Sequence, residues 1–455
     1  GLLRGALVVL IITALGWACL IALTHLITRP KGLTTAKRAI GASLVVALTF
    51  VVSAPLAVGA RYTLSQLQLL GSITGDDVTA GSRPDIDANA ENPWKDTPRL
   101  NILLLGADST GTRIKDAGNS VYTPRTDTIM VASIDTTTGD TTLIQIPRNL
   151  EHTPFPEESK LAQLFPRGFR GAGDESEWYV NALWEKTVAG DHPDMVEALG
   201  TPTPTYPGAE VLKQGIEGIT GLHMHYFALV NIDGLEQLIN AMGGVRVNIN
   251  QKLPIGGNET TGEKPSAWLQ PGPDQLLDGY HAMWYARGRY HVKGADFDRM
   301  ARQSCLVNAV IKQADPLTML TRYEGIAQAS SDMVMTDIPQ DVLALIAQLA
   351  LKVKDASITR LAFVDGQNGF VSANPDFTLT RKRVQDAITP PTQASEPAGN
   401  TTSNTPTETP STTKPSPTPT KQTSPEQPQP SATPSEAPAS TAEQVTNACA
   451  YNPQE

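Results

Sequence analysis

Two long apolar segments open the chain. Residues Leu2–Ile27 and Ile40–Ala60 are each long enough to cross a membrane, because a spanning helix needs about 20 mostly apolar residues. The segment between them, Thr28–Arg38, carries Arg and Lys but no acidic residue. The positive-inside rule places such a loop in the cytoplasm. We therefore predict two transmembrane helices within residues 1–61 and an extracytoplasmic remainder, in preference to a signal peptide followed by a buried helix.

The middle of the chain alternates between strand-like and helix-like apolar patterns. Residues 62–98 are polar and rich in Gly, Asp, Asn and Pro, which predicts a linker. Strands interleaved with helices over residues 99–386 predict an α/β domain with helices on both faces of a sheet. The predicted strands are Asn101–Leu105, Thr128–Ile134, Thr141–Ile146, His225–Val230, Val245–Ile249 and Ile358–Val364, and the predicted helices are Glu177–Val188, Glu210–Thr220, Gly234–Ala241, Asp274–Tyr285 and Asp298–Gln313, with one more near the end of Ser330–Val353.

The pattern stops near the C-terminus. Residues 387–455 consist mainly of Pro, Ser and Thr, with almost no large apolar side chain. Such a segment cannot bury enough apolar surface to offset the entropy lost on ordering. We predict a disordered tail.

Composition narrows the class of protein. The chain has 455 residues, a formal net charge of −10 and a sequence pI of about 5.3. A nucleic-acid-binding protein usually has a basic patch and a high pI, so we expect no nucleic-acid partner. Three cysteines, none in Cys-x-x-Cys spacing, are too few for a zinc module or a disulfide scaffold.

Carboxylates and arginines follow the predicted strands. Asp108 ends the segment LLLGAD, Asp127 lies just before the second strand, and Arg148 follows the third. Ligands of open α/β sheets bind at strand ends, and this residue set suits a polyanion carried with a divalent cation. We predict that Asp108 and Asp127 hold Mg²⁺ (or Mn²⁺). The alternative is that each aspartate caps a helix or a turn.

A second polar cluster spans residues 284–303. Guanidinium groups bind phosphate oxygens in a bidentate manner, so several converging arginines suit a pyrophosphate. The alternative is a solvated basic face balanced by Asp296 and Asp298. The candidate residues of this cluster are Arg287, Arg289, Arg299, Arg302 and Gln303.

These segments together resemble the LytR-CpsA-Psr family of extracytoplasmic cell-wall ligases. The matching pieces are LLLGAD, RTDT leading into IMVASID, IPR, YVNALW, the long segment from GITGLHMHYF to GGVRVNI, LQPGPDQLLDGYHAMWYARGRY and DFDRMARQ. They occur in the family's order over roughly Arg99 to Ile311. The resemblance implies an α/β/α sandwich with a central mixed sheet and an apolar cavity for a polyprenyl chain. The stretches around Leu235–Met242 and Leu306–Ile311 either line that cavity or form ordinary core.

The resemblance also implies an activity. It is the Mg²⁺-dependent transfer of a glycan phosphate from a polyprenyl-pyrophosphate-linked precursor onto peptidoglycan or a surface glycoprotein, as in the attachment of wall teichoic acid or arabinogalactan. Two alternatives stay open: a non-catalytic module that binds polyprenyl phosphates or regulates the envelope, and a pyrophosphatase that releases the glycan to water.

Site residues carry over from the family position by position. Asp108 and Asp127 resemble the metal-site aspartates, and Asp296 matches the acid ahead of the family's Arg-Gln pair; either Asp127 or Asp296 is the candidate general base. The chain departs from the family at Asn149, where Asp is usual, and its nearest arginine after Asp108 is Arg113. The residues that resemble the pyrophosphate-binding set are Arg125, Arg148, Arg287, Arg289, Arg299, Arg302 and Gln303, and the predicted catalytic set is Asp108, Asp127, Arg148, Arg287, Arg289 and Asp296.

Two cysteines lie in the predicted extracytoplasmic part, where thiols can oxidise. Cys305 falls one turn after Arg302 on a predicted helix, and Cys449 lies near the end of the tail. We hypothesise a Cys305–Cys449 disulfide that fixes the tail to the domain and contributes about 2–4 kcal/mol of stability. The alternative is two unpaired thiols, which mass mapping under non-reducing conditions would detect.

Overall fold

A mixed sheet lies between two layers of helices. The structure, a computed structural model, describes residues 2–28, 32, 34–73, 83–84, 86–87, 90–107, 125–190, 192–258, 261–292, 295–313, 334–339, 342–389 and 442–453. Across this described part the main sheet has the strand order β11-β10-β3-β2-β1-β4-β9. Its strands are β1 (Arg99–Ala107), β2 (Thr126–Asp135), β3 (Thr141–Ile146), β4 (Tyr226–Asn231), β9 (Val334–Thr336), β10 (Ile358–Ala362) and β11 (Glu443–Gln444).

This sheet combines parallel and antiparallel strand pairs. Strands β1 and β4 are parallel, as are β3 and β10, whereas β2 is antiparallel to both β1 and β3. The carboxyl ends of β1, β3, β4 and β10 therefore lie along the same edge of the sheet as the beginning of β2. This edge is where the sequence predicts ligand binding.

Alternating side chains divide the interior into two cores. In β1, Leu103 and Leu105 pack with helices on one face, while Leu100 and Ile102 pack on the other. This is the period-two alternation of a strand that is buried on both faces. The arrangement confirms the predicted α/β/α sandwich with a central mixed sheet.

The helices fall near their predicted positions. The helices that follow the two N-terminal ones are α3 (Lys160–Leu164), α4 (Leu183–Val188), α5 (Pro193–Ala198), α6 (Pro207–Thr220), α7 (Ile232–Met242), α8 (Gly279–Arg287), α9 (Ala295–Gln313), α10 (Leu343–Asp355), α11 (Phe377–Ile388) and α12 (Val445–Ala448). The helix predicted over Glu177–Val188 is α helix only from Leu183, because two short 3₁₀ turns precede it.

The helix predicted over Asp274–Tyr285 is wrong in its first half. Residues Gly272–Leu277 form β8, which pairs with β5 (Val245–Ile249) outside the main sheet. Helix α8 begins only after Asp278, whose side chain accepts a hydrogen bond from the His281 N–H at 2.9 Å. This N-cap fixes the start of the helix. A second small ribbon joins β6 (Leu253–Ile255) to β7 (Ala267–Leu269).

The N-terminal helices extend beyond the predicted spans. Helices α1 (Leu2–Thr28) and α2 (Thr35–Ile73) pack against each other, and both contain stretches long and apolar enough to cross a membrane. Helix α2 continues into the segment predicted as a linker. Farther along that segment Ile86 is buried in the core, and Arg83 donates a hydrogen bond to the Asp337 carbonyl. The linker therefore packs partly on the domain.

The end of the tail also differs from the prediction. Residues 442–453, which we call the returning segment, form β11 and α12 and lie on the domain, whereas residues 390–441 lie outside the described part of the chain. The predicted disulfide is present between Cys305 and Cys449, with Cα atoms 5.5 Å apart. Val445, fully buried, adds apolar contact. A covalent bond and a buried side chain thus order a segment whose surroundings are polar.

A half-buried histidine at the opposite edge of the sheet makes stability depend on pH. His225 Nδ1 accepts the backbone N–H of Asn101 at 3.0 Å. Burial, with His223 nearby, lowers the pKa of His225 from 6.5 to about 4, although Glu217 opposes this shift and Lys213 reinforces it. Below pH 6.5 the unfolded chain binds a proton that the folded protein excludes until about pH 4. Stability is therefore complete above the unfolded pKa and is lost as the pH falls.

We expect the free energy of unfolding to decrease by about 2 kcal/mol from pH 7.5 to pH 5 through this group alone. Urea unfolding at both pH values measures the decrease. The control is His225→Asn, whose amide oxygen can still accept from Asn101 but does not titrate. The variant should lose less stability than the parent over the same interval, and equal losses would contradict the assignment.

Candidate active site

A cavity of about 350 Å³ opens at the carboxyl edge of the sheet. The beginning of β2, the end of β3, the segment after β10 and the first turns of α9 form its walls. The lining side chains mix carboxylates, guanidinium groups and aromatic rings. They are Asp127, Thr128, Ile129, Gln145, Ile146, Pro147, Arg148, Asn149, Phe297, Arg299, Met300, Gln303, Phe363, Val364, Asp365 and Gln367.

Asp127 is placed in this cavity by a β-bulge. Gly106 pairs with Thr128 and Ala107 pairs with Thr126, so Asp127 is the extra residue of β2. A bulge redirects side chains and is common next to active sites. Gly106 permits the close approach, because a Cβ there would lie 3.0 Å from the Cβ of Thr128. The residue after Ala107 is Asp108, the other predicted metal ligand, which lies outside the described residues.

Arg148 meets Asp127 across the β2–β3 pair. Strand β3 ends at Ile146, which pairs with Ile129, and Pro147 then turns the chain. The Arg148 Nη1 lies 2.6 Å from Asp127 Oδ1, and each side chain is about 30% exposed to solvent. The ion pair is thus accessible from the cavity, and it holds the Arg148 guanidinium beside Asp127 in the cavity wall. Asn149, where the family usually has Asp, lines the same cavity.

Helix α9 supplies the facing wall. Arg299 and Gln303 are four residues apart, so they lie on one face of the helix, and both line the cavity. The Gln145 side chain donates to the Met300 carbonyl at 2.7 Å, which joins this part of the helix to β3. Four of the predicted site residues therefore converge: Asp127, Arg148, Arg299 and Gln303.

The cavity can accept one divalent cation together with a phosphate group. Mg²⁺ is commonly held by one or two carboxylates plus phosphate oxygens and waters. Asp127 supplies one carboxylate, whereas both oxygens of Asp365 accept hydrogen bonds from Ser372. Among the described residues no group of three or more His, Cys, Asp or Glu could hold a metal alone. The chemistry of this site thus fits a metal that arrives with, or is completed by, an anionic ligand.

Two predicted pyrophosphate ligands point elsewhere. Arg125 forms an exposed ion pair with Glu185, with Nε 2.7 Å from Oε2. Arg302 is buried, and it donates to Asp298 at 2.7 Å, to the Gly288 carbonyl at 2.7 Å and to the Tyr285 carbonyl. The guanidinium N–H groups of Arg302 donate to oxygens of the protein itself. The expectation that Arg302 contacts the ligand is therefore not supported. It holds the end of α8 against α9.

The remaining candidates do not line the cavity in the described part of the chain. Arg287 ends α8, with Nη1 3.9 Å from Met283 Sδ and its guanidinium over the Trp284 ring. Arg289 is exposed on the following turn. Asp296 lies in the first turn of α9, and its side chain is outside the described set. Their predicted roles stay predictions.

Sequence reasoning missed three cavity residues. Gln145 is a polar residue inside the otherwise apolar end of β3, where it is buried. A polar residue among apolar neighbours was the signal in the sequence that could have identified it. Asp365 follows β10 as Asp108 follows β1, so a carboxylate after a predicted strand was again the signal. Phe297 lies in the DFDRMARQ segment, but it carries no charge, so a pattern of carboxylates and arginines does not identify it. It is 37% exposed at the cavity.

A second cavity, of about 800 Å³, lies beside α4, α5 and β9. Its walls combine aromatic and apolar residues such as Trp184, Val196, Tyr206 and Met335 with several threonines. The stretches predicted as possible lipid contacts do not line it. Ile239 and Leu306 instead pack in a core cluster with β5 and β6, which is the ordinary-core alternative.

Comparison with known proteins links this fold to cell-wall transferases. A polyisoprenyl-teichoic acid–peptidoglycan teichoic acid transferase, TagU of Enterococcus faecalis, is 25% identical over 274 residues, which cover 60% of this chain and 71% of TagU. The cell wall biosynthesis protein LcpA of Corynebacterium glutamicum is 24% identical over 61% of this chain, and the match spans about half (52%) of LcpA.

Solved structures and a family model complete the comparison. Protein gbs0355 of Streptococcus agalactiae is 20% identical, with a TM-score of 0.46 over 65% of this chain and 90% of that protein. B. subtilis TagV is also 20% identical, with a TM-score of 0.41 over 63% of this chain and 96% of TagV. The LytR_cpsA_psr family model matches residues 71–389, beginning before the predicted domain boundary at residue 99. Since this match covers most of the chain, the protein belongs to the LytR-CpsA-Psr family.

Proposed function

We propose that this protein is a membrane-anchored extracytoplasmic phosphotransferase. It would transfer a glycan phosphate from a polyprenyl-pyrophosphate-linked precursor onto peptidoglycan or a surface glycoprotein. The observation that carries the proposal is the Asp127–Arg148 pair at the strand edge, faced by Arg299 and Gln303 from α9. Relatives such as TagU are named as transferases of teichoic acid to peptidoglycan.

Two features support the extracytoplasmic orientation. The basic segment between α1 and α2 favours the cytoplasm, so the chain after α2 would lie outside. The Cys305–Cys449 disulfide agrees with this orientation, because disulfides persist in oxidising compartments and are rare in the cytosol.

The chemistry needs charge neutralisation more than covalent catalysis. An acceptor hydroxyl oxygen would form a bond to the glycan-side phosphorus while the bond to the bridging oxygen breaks. The polyprenyl phosphate leaves with that electron pair, and the hydroxyl proton passes to a base, for which Asp127 and Asp296 remain the candidates. Arg148 and Arg299 would stabilise negative charge on the phosphate oxygens.

A divalent cation would complete the charge balance. Two guanidinium groups, Arg148 and Arg299, face two carboxylates, Asp127 and Asp365, in the cavity lining. These described side chains are close to neutral together, yet a pyrophosphate carries more than one negative charge. Asp127, together with Asp108, the residue that follows β1 in the sequence, would hold the Mg²⁺, and the ion would supply electrostatic stabilisation of the leaving phosphate.

The polyprenyl chain requires an apolar surface. The second cavity, with Trp184, Val196 and Met335 in its walls, is the larger of the two cavities described above and is the candidate for this role. Burial of lipid methylenes there would contribute affinity that does not depend on the metal.

The proposal is tested by incubating the full-length protein in detergent with a polyprenyl-pyrophosphate glycan and oligomeric peptidoglycan, with Mg²⁺ present or chelated. We expect glycan linked to peptidoglycan only with the metal. Release of free glycan phosphate without linkage to peptidoglycan would indicate the pyrophosphatase alternative. Lipid binding without turnover in either condition would indicate the non-catalytic module.

A further inference from the structure

The returning segment adds the last strand to the main sheet. Strand β11 pairs antiparallel with β10, so that Glu443 lies opposite Arg360 and Gln444 opposite Thr359. The Asn248 amide donates to the Cys449 carbonyl at 2.8 Å, and Cys449 is bonded to Cys305 of α9. The segment therefore contacts both the sheet and the helix that form the candidate active site.

A chain of polar contacts runs from this segment to the cavity. Glu443 Oε1 accepts from Arg360 Nη1 at 2.8 Å, and Arg360 Nε donates to Gln145 Oε1 at 2.9 Å. Gln145 Nε2 in turn donates to the Met300 carbonyl at 2.7 Å. Gln145 and Met300 both line the cavity.

Arg360 connects the two ends of this series of polar contacts. Its side chain is 3% exposed, and its guanidinium lies over the ring of Phe297, 5.4 Å from the centroid. Burial lowers the pKa of Arg360, and Glu443 opposes that shift. A buried cation that loses its paired carboxylate is strongly disfavoured and must reorient or draw in water. Either movement disturbs Gln145 and Phe297.

We propose that Glu443 is a positioning residue of the active site, acting through Arg360 and Gln145 on the first turns of α9. The proposal rests on the proposed function, because those turns carry Arg299 and Gln303. The far end of a Pro/Ser/Thr-rich segment would thus complete the transfer site, although it contacts no substrate. Catalysis depends steeply on geometry, so a small displacement of Arg299 would slow the chemical step.

The test compares Glu443→Ala, Glu443→Gln and Gln444→Ala in the full-length protein. Gln444 is the matched control, because it lies on the same strand and contacts Ser357 and Thr359 rather than Arg360. We expect Glu443→Ala to lower kcat about tenfold with little change in KM for the lipid donor. Glu443→Gln should recover most of the rate, since its amide oxygen can still accept from Arg360, and Gln444→Ala should match the parent.

Two results would overturn the proposal. One is a parental kcat in Glu443→Ala, and the other is an equal loss in Glu443→Ala and Gln444→Ala, which would indicate docking of the strand as such. Amide hydrogen exchange of residues 299–304 is measured in parallel, and faster exchange in Glu443→Ala alone is expected. The exchange measurement does not require turnover. If the parent protein transfers no glycan, the proposed function is contradicted, but amide exchange still tests whether Glu443 positions the first turns of α9.

Discussion

Replacing Asp127 by asparagine is expected to lower the rate of glycan transfer about 100-fold or more, with little loss of stability. The substitution keeps the shape of the bulged side chain but removes the charge that pairs with Arg148 at 2.6 Å. It also removes the described carboxylate best placed to hold a cation. Initial rates at increasing Mg²⁺ concentration measure the effect, and the variant should need more Mg²⁺ than the parent.

The matched control is Asp274→Asn. Asp274 also forms a carboxylate–guanidinium pair, with Oδ2 2.8 Å from Arg246 Nη1, but it lies on β8 and does not line either cavity. Its φ of 45° is one that asparagine tolerates. This variant should transfer glycan at the parental rate. A parental rate in Asp127→Asn instead would remove Asp127 from the mechanism.

Replacing Lys213 by methionine is expected to cost about 3–5 kcal/mol of unfolding free energy. The Lys213 Nζ lies 2.7 Å from Asp337 Oδ2 and 2.8 Å from Glu210 Oε2, and its side chain is 1% exposed. Burial alone lowers the pKa of Lys213, but the two carboxylates reverse this and hold the pKa above its usual value. Without the cation, two carboxylates would remain buried near each other.

Urea unfolding of the full-length protein in detergent measures this loss. The control is Lys382→Met on α11, where the Lys382–Asp386 pair has the same 2.7 Å separation but lies in solvent. An exposed pair contributes about 1 kcal/mol or less, so that variant should unfold close to the parent. Similar midpoints for the two variants would mean that the buried cluster is not a stabilising unit.

The strand ends of the active site could be predicted because local patterns determine them. Strands β2 and β3 are long apolar runs joined by a short turn, so Asp127 and Arg148 had to meet at one edge. Arg299 and Gln303 were predictable from helical spacing. The sequence pattern alone does not reveal the bulge that turns Asp127 inward, since it depends on the register against β1.

The features that local patterns do not predict depend on contacts between distant parts of the chain. In the sequence, Arg302 is not distinguishable from the nearby Arg299. In the structure it faces the end of α8, where the backbone carbonyls of Tyr285 and Gly288 accept hydrogen bonds from its guanidinium. Strand β11 has two residues and no periodicity to detect. In that region only Cys449 signalled a tertiary contact, which is why the disulfide was predicted and the strand was not.

The disulfide changes how far the Pro/Ser/Thr segment can reach. With α11 at one end and the returning segment at the other, residues 390–441 are tethered to the domain twice. A free chain of this length extends at most about 170 Å, but an out-and-back path from two fixed points reaches only about 85 Å. A protease cut anywhere along that path would leave Glu443 and Cys449 covalently attached through the disulfide, so nicking of this segment would not by itself detach the residues next to the candidate active site.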